Sequence, residues 1–266
     1  MALFWVSPSL FPCVWVGDSQ WSGDLRFIWL FVLVFLLIPA MQLLIYGYFS
    51  ASRENLLQPR PWRDDAEELM NRDSMKSMLA MHIGLPMLLS VMVYLSKDNA
   101  DASLSRKRWM EIPSPPLQQF LWQHIVSLLV VDCAYYWLHR VLHVPQFYHI
   151  HKVHHQATKL TPWMGDWLHV FEFALTSVPT VLLPILWFGW GPSQVGFWIV
   201  LLNTHTFYQH SGLNCMYVPG LQLMPFGNQA VHHDRHHSAN TGNYGSYFLF
   251  WDRLMHTTIE ASSDHK

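Results

Sequence analysis

Between Arg26 and Arg53 the chain carries no charged residue at all. A bilayer core is crossed by about 20 largely apolar residues, and Phe27 to Ser52 supplies more than that. Inside hydrocarbon, a helix satisfies its own backbone hydrogen bonds, whereas an open sheet edge or a loop does not. The stretch therefore predicts a membrane helix, with Pro39 as the expected kink. Ser77 to Ser96 reads as a second span containing Pro86, and Leu117 to Leu138 as a third with Asp132 near its end. Phe171 to Tyr208 is too long for one crossing and is broken by GWGPS at Gly189 to Ser193, so it predicts a hairpin of two helices, Glu172 near its start. Hydrophobic residues make up 51% of the chain and charged ones 13%, about half the usual charged share. The expected fold is an all-α integral membrane protein of about four to five transmembrane helices, with a histidine-rich helical cap holding a dimetal site.

The organisation follows from these spans. Residues 1–26 are apolar, carry Trp5, Trp15 and Trp21, and lack the basic opening of a signal peptide, which suits an interfacial segment. Residues 27–116 hold the first spans and loops, 117–258 the domain that carries the histidine clusters, and 259–266 a short tail. Net charge is -2 and no GxGxxG or P-loop is present, so neither nucleic acid nor a nucleotide is indicated as a partner. Cys13, Cys133 and Cys215 form no CxxC pair and read as isolated thiols.

Histidine is the outlier. The chain has 17, and they crowd into HRVLH (His139, His143), HKVHH (His151, His154, His155), YQHSG (His210) and HHDRHH (His232, His233, His236, His237). Residues three and four apart share a helix face, so each cluster is expected to point its rings together. The third span ends at His139, and the hairpin crosses and returns, so all the clusters fall on one side of the membrane. That side holds most of the Lys and Arg, the loop Lys97 to Arg108 excepted, which makes it cytosolic. Imidazole suits iron, copper, zinc and nickel, and the eight clustered histidines exceed what one tetrahedral zinc needs. Two ions at four or five nitrogens each are the expectation, with a dinuclear iron centre that activates O2 favoured over dinuclear zinc. Asp132, Asp166, Glu172 and Asp234 are the candidates for orienting the rings through their free N–H groups. Tyr135, Tyr136, Trp163, Trp167 and Phe207 are candidate walls of a dry substrate pocket. His205 and His232 stand between ring support and bystander, and His149 reads as structural.

HRVLH, HKVHH and HHDRHH resemble the three histidine boxes of the fatty acid hydroxylase / sterol desaturase superfamily, membrane di-iron oxygenases, over about Leu117 to Thr258. HSGLN at His210, LMPFG at Leu223 and GNYGSYFLFWDRLMHT at Gly242 are similar to its C-4 methylsterol oxidase and cholesterol 25-hydroxylase branch. WLHVFE, Trp167 to Glu172, resembles the element that follows the second box there. The chain departs from the pattern in HSGL for HSGY, in Val170 for proline, and in His256-Thr257 for Gly-Thr. The resemblance implies His139, His143, His151, His154, His155, His233, His236 and His237 as ligands, His210 as the family's extra histidine and His169 as a weaker tenth. It implies two Fe ions and O2-dependent hydroxylation, methyl oxidation or desaturation of a sterol-like, terpenoid or other lipid. Electrons would come from NAD(P)H through an external donor such as cytochrome b5 and its reductase, at the endoplasmic reticulum with the boxes facing the cytosol. Aldehyde deformylation, ether-lipid cleavage, and a non-catalytic metal-binding membrane protein are the alternative outcomes.

Overall fold

The computed structural model of the protein describes residues 38–51, 56–57, 72–76, 79, 109, 111–213 and 230–259. The interfacial segment 1–26 and all but Leu79 of the span Ser77 to Ser96 lie outside them. The described residues are helical: α1 (Ile38–Ser50), α2 (Leu117–Leu142), α3 (Tyr148–His151), α4 (Val170–Phe188), α5 (Pro192–Gln209), α6 (Ala230–Ala239) and α7 (Phe250–Leu254). Short 3-10 turns stand at His154–Gln156 and Pro162–Asp166, and the described residues contain no strand beyond a single bridge between Leu56 and Leu213. Two helices, α2 and α4, are long and apolar enough to cross a membrane. The return helix α5 is not, since Gln194, Asn203, Thr204, His205 and Gln209 give it too polar a composition; the first span, Phe27 to Ser52, is described only from Ile38, and of the expected four to five spans two are found among the described residues.

Local chemistry sets the helix ends. α2 starts directly after Pro115 and Pro116, runs for 26 residues or about 39 Å, and stops at His143, two residues before Pro145. α4 closes on Gly189, whose φ of 63° is the left-handed conformation that glycine adopts without strain; Pro192 then opens α5. Pro179 and Pro184 interrupt the ladder inside α4. Pro184 has no N–H to give the Thr180 carbonyl, and the indole N–H of Trp198 on α5 donates to that carbonyl instead, at 3.0 Å. The vacancy in one helix thus fixes the partner helix against it.

α2 runs parallel to α5 and antiparallel to α4. At the end near the Gly189 turn, the Gln194 amide donates to Gln123 Oε1 at 2.6 Å, and the His124 ring lies between Phe120 and Trp190 with ring centroids 4.2 and 4.5 Å away. The core there gathers Leu128, Val131, Trp190, Trp198, Leu202 and Tyr247. At the opposite end, the C-termini of α2 and α5 and the N-terminus of α4 converge with α3 and α6, and this is where the histidines lie. α1 joins that end, with Tyr46 edge-on to Trp163 and Phe207 at 5.5 and 6.2 Å.

Candidate metal centre

Nine imidazoles form two adjacent groups. His139, His143, His151, His155 and His236 make one; His154, His210, His233 and His237 make the other, and within each group the ligand-type atoms lie within 4.8 Å of one another. The clusters of the sequence do not map one-to-one onto these groups. The i,i+4 pairs stay together: His139 with His143, His151 with His155, His233 with His237. The residue one position earlier turns away, about 100° on α6 and by the tighter 3-10 turn at His154, so His154 leaves its neighbours for the four-membered group and His236 leaves its own for the five-membered one. The expectation that each cluster points its rings together is corrected accordingly; HKVHH and HHDRHH each straddle both groups. Nor is HKVHH one continuous helix, since α3 ends at His151 and a 3-10 turn presents His154 and His155.

Hydrogen bonds fix the tautomers. A backbone carbonyl only accepts, so a ring nitrogen facing one must carry the proton. His139 Nδ1–H donates to Tyr244 O at 2.8 Å, His236 to Gly242 O at 2.6 Å, His237 to Ala157 O at 2.9 Å, His210 to Thr206 O at 2.9 Å and His154 to Trp167 O at 3.2 Å. His151 Nδ1 lies 2.6 Å from Glu172 Oε1. In the neutral ring each of these leaves Nε2 as a bare lone pair. Those lone pairs face one another: His139 and His151 Nε2 are 3.0 Å apart, and His154 and His210 Nε2 are 3.3 Å apart. Further Nε2 pairs are His155–His151 at 3.0 Å, His143–His236 at 3.2 Å, His233–His210 at 2.8 Å and His237–His233 at 3.1 Å.

Protonation does not relieve this crowding. Burial pushes His143 and His210 down to about 4 and His155 to about 3. Burial, reinforced by the neighbouring imidazoles, lowers His151, His154, His233, His236 and His237 well below the ordinary histidine value. Neutral rings with converging lone pairs are a donor set for a cation. Nitrogens about 2.1 Å from one ion stand about 3.0 Å apart at right angles and about 3.4 Å apart in a tetrahedron. The observed 2.8–3.3 Å separations are close to this range, so neighbouring rings of each group are near enough to share one ion.

The remaining sequence candidates fall elsewhere. His169 belongs to neither group: its Nδ1 accepts from Phe171 N at 3.2 Å and caps α4, so the tenth-ligand expectation is corrected. Asp132 touches no imidazole; its Oδ1 accepts from the backbone N–H groups of Tyr247 and Phe248 at 2.8 and 3.1 Å. Asp166 lies near enough to His210 for its charge to favour the protonated ring, and Asp234 is buried in α6 between the two groups' ligands. Tyr135 sits 5.3 Å from His139 by ring centroids, while Tyr136 is fully buried with its hydroxyl 3.0 Å from Thr257 Oγ1. Trp167 contributes its carbonyl to His154, its indole N–H bonding Gln156 Oε1 at 3.3 Å. Trp163 and Phe207 pack around Tyr46. His205 stacks on Tyr247 at 4.1 Å and bonds Ser246 O, outside both groups. Sequence reasoning missed the carbonyls of Ala157, Thr206, Gly242 and Tyr244, because any residue type offers one; only the two glycines of GNYG hinted at a tightly held loop.

The fatty acid hydroxylase family profile matches residues 124–257, just over half of the chain and the stretch that contains all nine imidazoles. The chain is similar to the C-4 methylsterol oxidase of Schizosaccharomyces pombe, 30% identical over 151 residues, 55% of this chain and 50% of that protein. It is similar to the methylsterol monooxygenase 1 of Danio rerio, 34% identical over 170 residues (59% and 54%). It also resembles the lathosterol oxidase of Rattus norvegicus, 34% identical over 139 residues (50% and 45%). The chain spans about half the length of these relatives, and no solved structure matches it. With the histidine clusters, the helical frame and the matched stretch in agreement, this chain belongs to the fatty acid hydroxylase family.

Proposed function

We propose that the nine imidazoles hold two iron ions and that the chain is an O2-dependent oxygenase acting on a sterol-like lipid. The five-membered group would take one ion and the four-membered group the other, leaving coordination positions open for small molecules. When bound, such a pair supplies the electrons and oxidising power to turn O2 on an unactivated C–H bond. The rest is the work of the chain. The carbonyls of Tyr244, Gly242, Ala157, Thr206 and Trp167, with the Glu172 carboxylate, hold the rings in one tautomer and one orientation. Burial of the rings keeps water from the centre, and Tyr135, Tyr136, Trp163, Trp167 and Phe207 are the proposed apolar walls near the substrate. The substrate class comes from the relatives, which are methylsterol and lathosterol oxidases. Electrons would reach the centre from NAD(P)H through an external carrier of the cytochrome b5 type. The centre would face the cytosol, at the endoplasmic reticulum.

The convergence of bare Nε2 lone pairs, 3.0 Å apart between His139 and His151 and 3.3 Å apart between His154 and His210, carries this reading. Cells expressing the full chain, fed C-4 methylsterols, lathosterol and fatty acids, test it. The expected product is an oxidised sterol that requires O2 and vanishes in the His236→Ala variant. Purified protein that holds no iron would overturn the centre; iron-loaded protein that oxidises only fatty acids would overturn the substrate class.

A further inference from the structure

Asp252 of α7 is fully buried and lies outside the metal groups, yet it anchors the loop that positions two of their members. Its Oδ1 accepts from Tyr244 N at 2.8 Å and from Thr257 Oγ1 at 2.7 Å, and its Oδ2 accepts from Gly245 N at 2.7 Å. The Gly245 N–H and the Tyr244 carbonyl belong to one peptide group, and that carbonyl is the acceptor for His139 Nδ1–H at 2.8 Å. The loop has no slack. A Cβ on Gly245 would lie 2.6 Å from Phe248 O and 2.8 Å from Asp252 Oδ2. One on Gly242, whose carbonyl holds His236, would lie 2.6 Å from Thr257 O. Glu172 touches His151 directly, whereas Asp252 reaches His139 one peptide removed.

We propose that Asp252 is a positioning residue of the five-histidine group, acting on His139 through the Tyr244–Gly245 peptide. The carboxylate draws on the peptide N–H, the peptide carbonyl becomes a stronger acceptor for His139 Nδ1–H, and His139 Nε2 gains electron density. Asp132 supplies the internal comparison. It grips the same loop at Tyr247 and Phe248, but the peptide joining Ser246 to Tyr247 leads to His205, which is in neither group. The inference rests on the two-cation reading of the site.

The test loads the full chain, stripped of metal in detergent, with Co(II) and follows visible absorption during titration. Wild-type protein taking up fewer than two Co(II) defeats the two-cation reading itself, separately from the proposal. Given two, Asp252→Asn is expected to weaken the five-nitrogen site about 10–100-fold and shift its bands, leaving the four-nitrogen site unchanged. Asp132→Asn is expected to lower stability without shifting either set of bands. Equal shifts in both variants, or no shift in Asp252→Asn, overturn the proposal. If Asp252→Asn does not fold, Thr257→Val decides. It removes one donor from the carboxylate, leaves more charge on the peptide N–H, and moves the five-nitrogen bands the opposite way from loss of the carboxylate's charge, towards stronger binding. Bands that stay where they are in Thr257→Val overturn the proposal.

Discussion

Trp198→Phe isolates the contact that ties the two helices of the hairpin together. The ring stays apolar and buried, and what is lost is the indole N–H that donates to Thr180 O at 3.0 Å. That carbonyl sits four residues before Pro184 and has no helical donor, so the substitution leaves it unsatisfied in an apolar surrounding. An unsatisfied buried acceptor costs about 1–3 kcal/mol, and the smaller ring adds a cavity term of similar size. The two are separable by a double-mutant cycle. In a Pro184→Ala background, the new alanine's backbone N–H bonds Thr180 O, so Trp198→Phe should cost only the cavity term. Chemical denaturation in detergent, followed by tryptophan-independent far-UV circular dichroism, gives the four stabilities. The expected coupling is about 1–3 kcal/mol, equal to the orphaned acceptor. A cycle that closes to within about 0.3 kcal/mol would refute the pairing of the proline vacancy with the indole.

Three further outcomes follow from the geometry. Gly165→Ala would place a Cβ 2.6 Å from Thr206 Cγ2 and 3.0 Å from His210 Nδ1, so metal content should fall through the four-histidine group while the five-histidine group still loads. His256 adopts a φ of 54°, where the family pattern has glycine; His256→Gly should raise stability by about 1 kcal/mol, read as an increase in the denaturation midpoint. Metal-free protein should lose stability as pH falls below about 6.5. There the unfolded chain binds protons that the buried rings refuse until about 4 for His143 and about 3 for His155, so the unfolded state is favoured on the acid side. A metal-free unfolding midpoint that peaks at pH 5 contradicts that sign.

The fold was legible where one physical signal dominates. The apolar run before Arg140, interrupted by the single acid Asp132, predicted α2, and GWGPS marked the turn because Gly189 accommodates the left-handed φ and Pro192 starts a helix. The i,i+4 histidine pairs were legible for the same reason, since helical periodicity keeps them on one face. The partition of His154 from His155, and of His236 from His237, was not. It depends on a tight 3-10 turn and on where α6 docks, and both are tertiary. Asp132 shows the other limit: a lone acid near the end of an apolar helix signals a polar partner, but sequence does not say whether that partner is a ring or a backbone N–H. Asp252 escaped notice because its effect on His139 passes through a peptide rather than a side chain.

The central claim is that two ions are held by groups that cut across the sequence clusters, and neighbouring residues test it most directly. Iron content and Co(II) spectra of His154→Ala and His155→Ala, adjacent in HKVHH, should differ in kind. Wild-type protein should bind two ions per chain, His154→Ala should disturb only the four-nitrogen site, and His155→Ala only the five-nitrogen site. One ion in the wild type, or the same spectral change in both variants, would contradict the account.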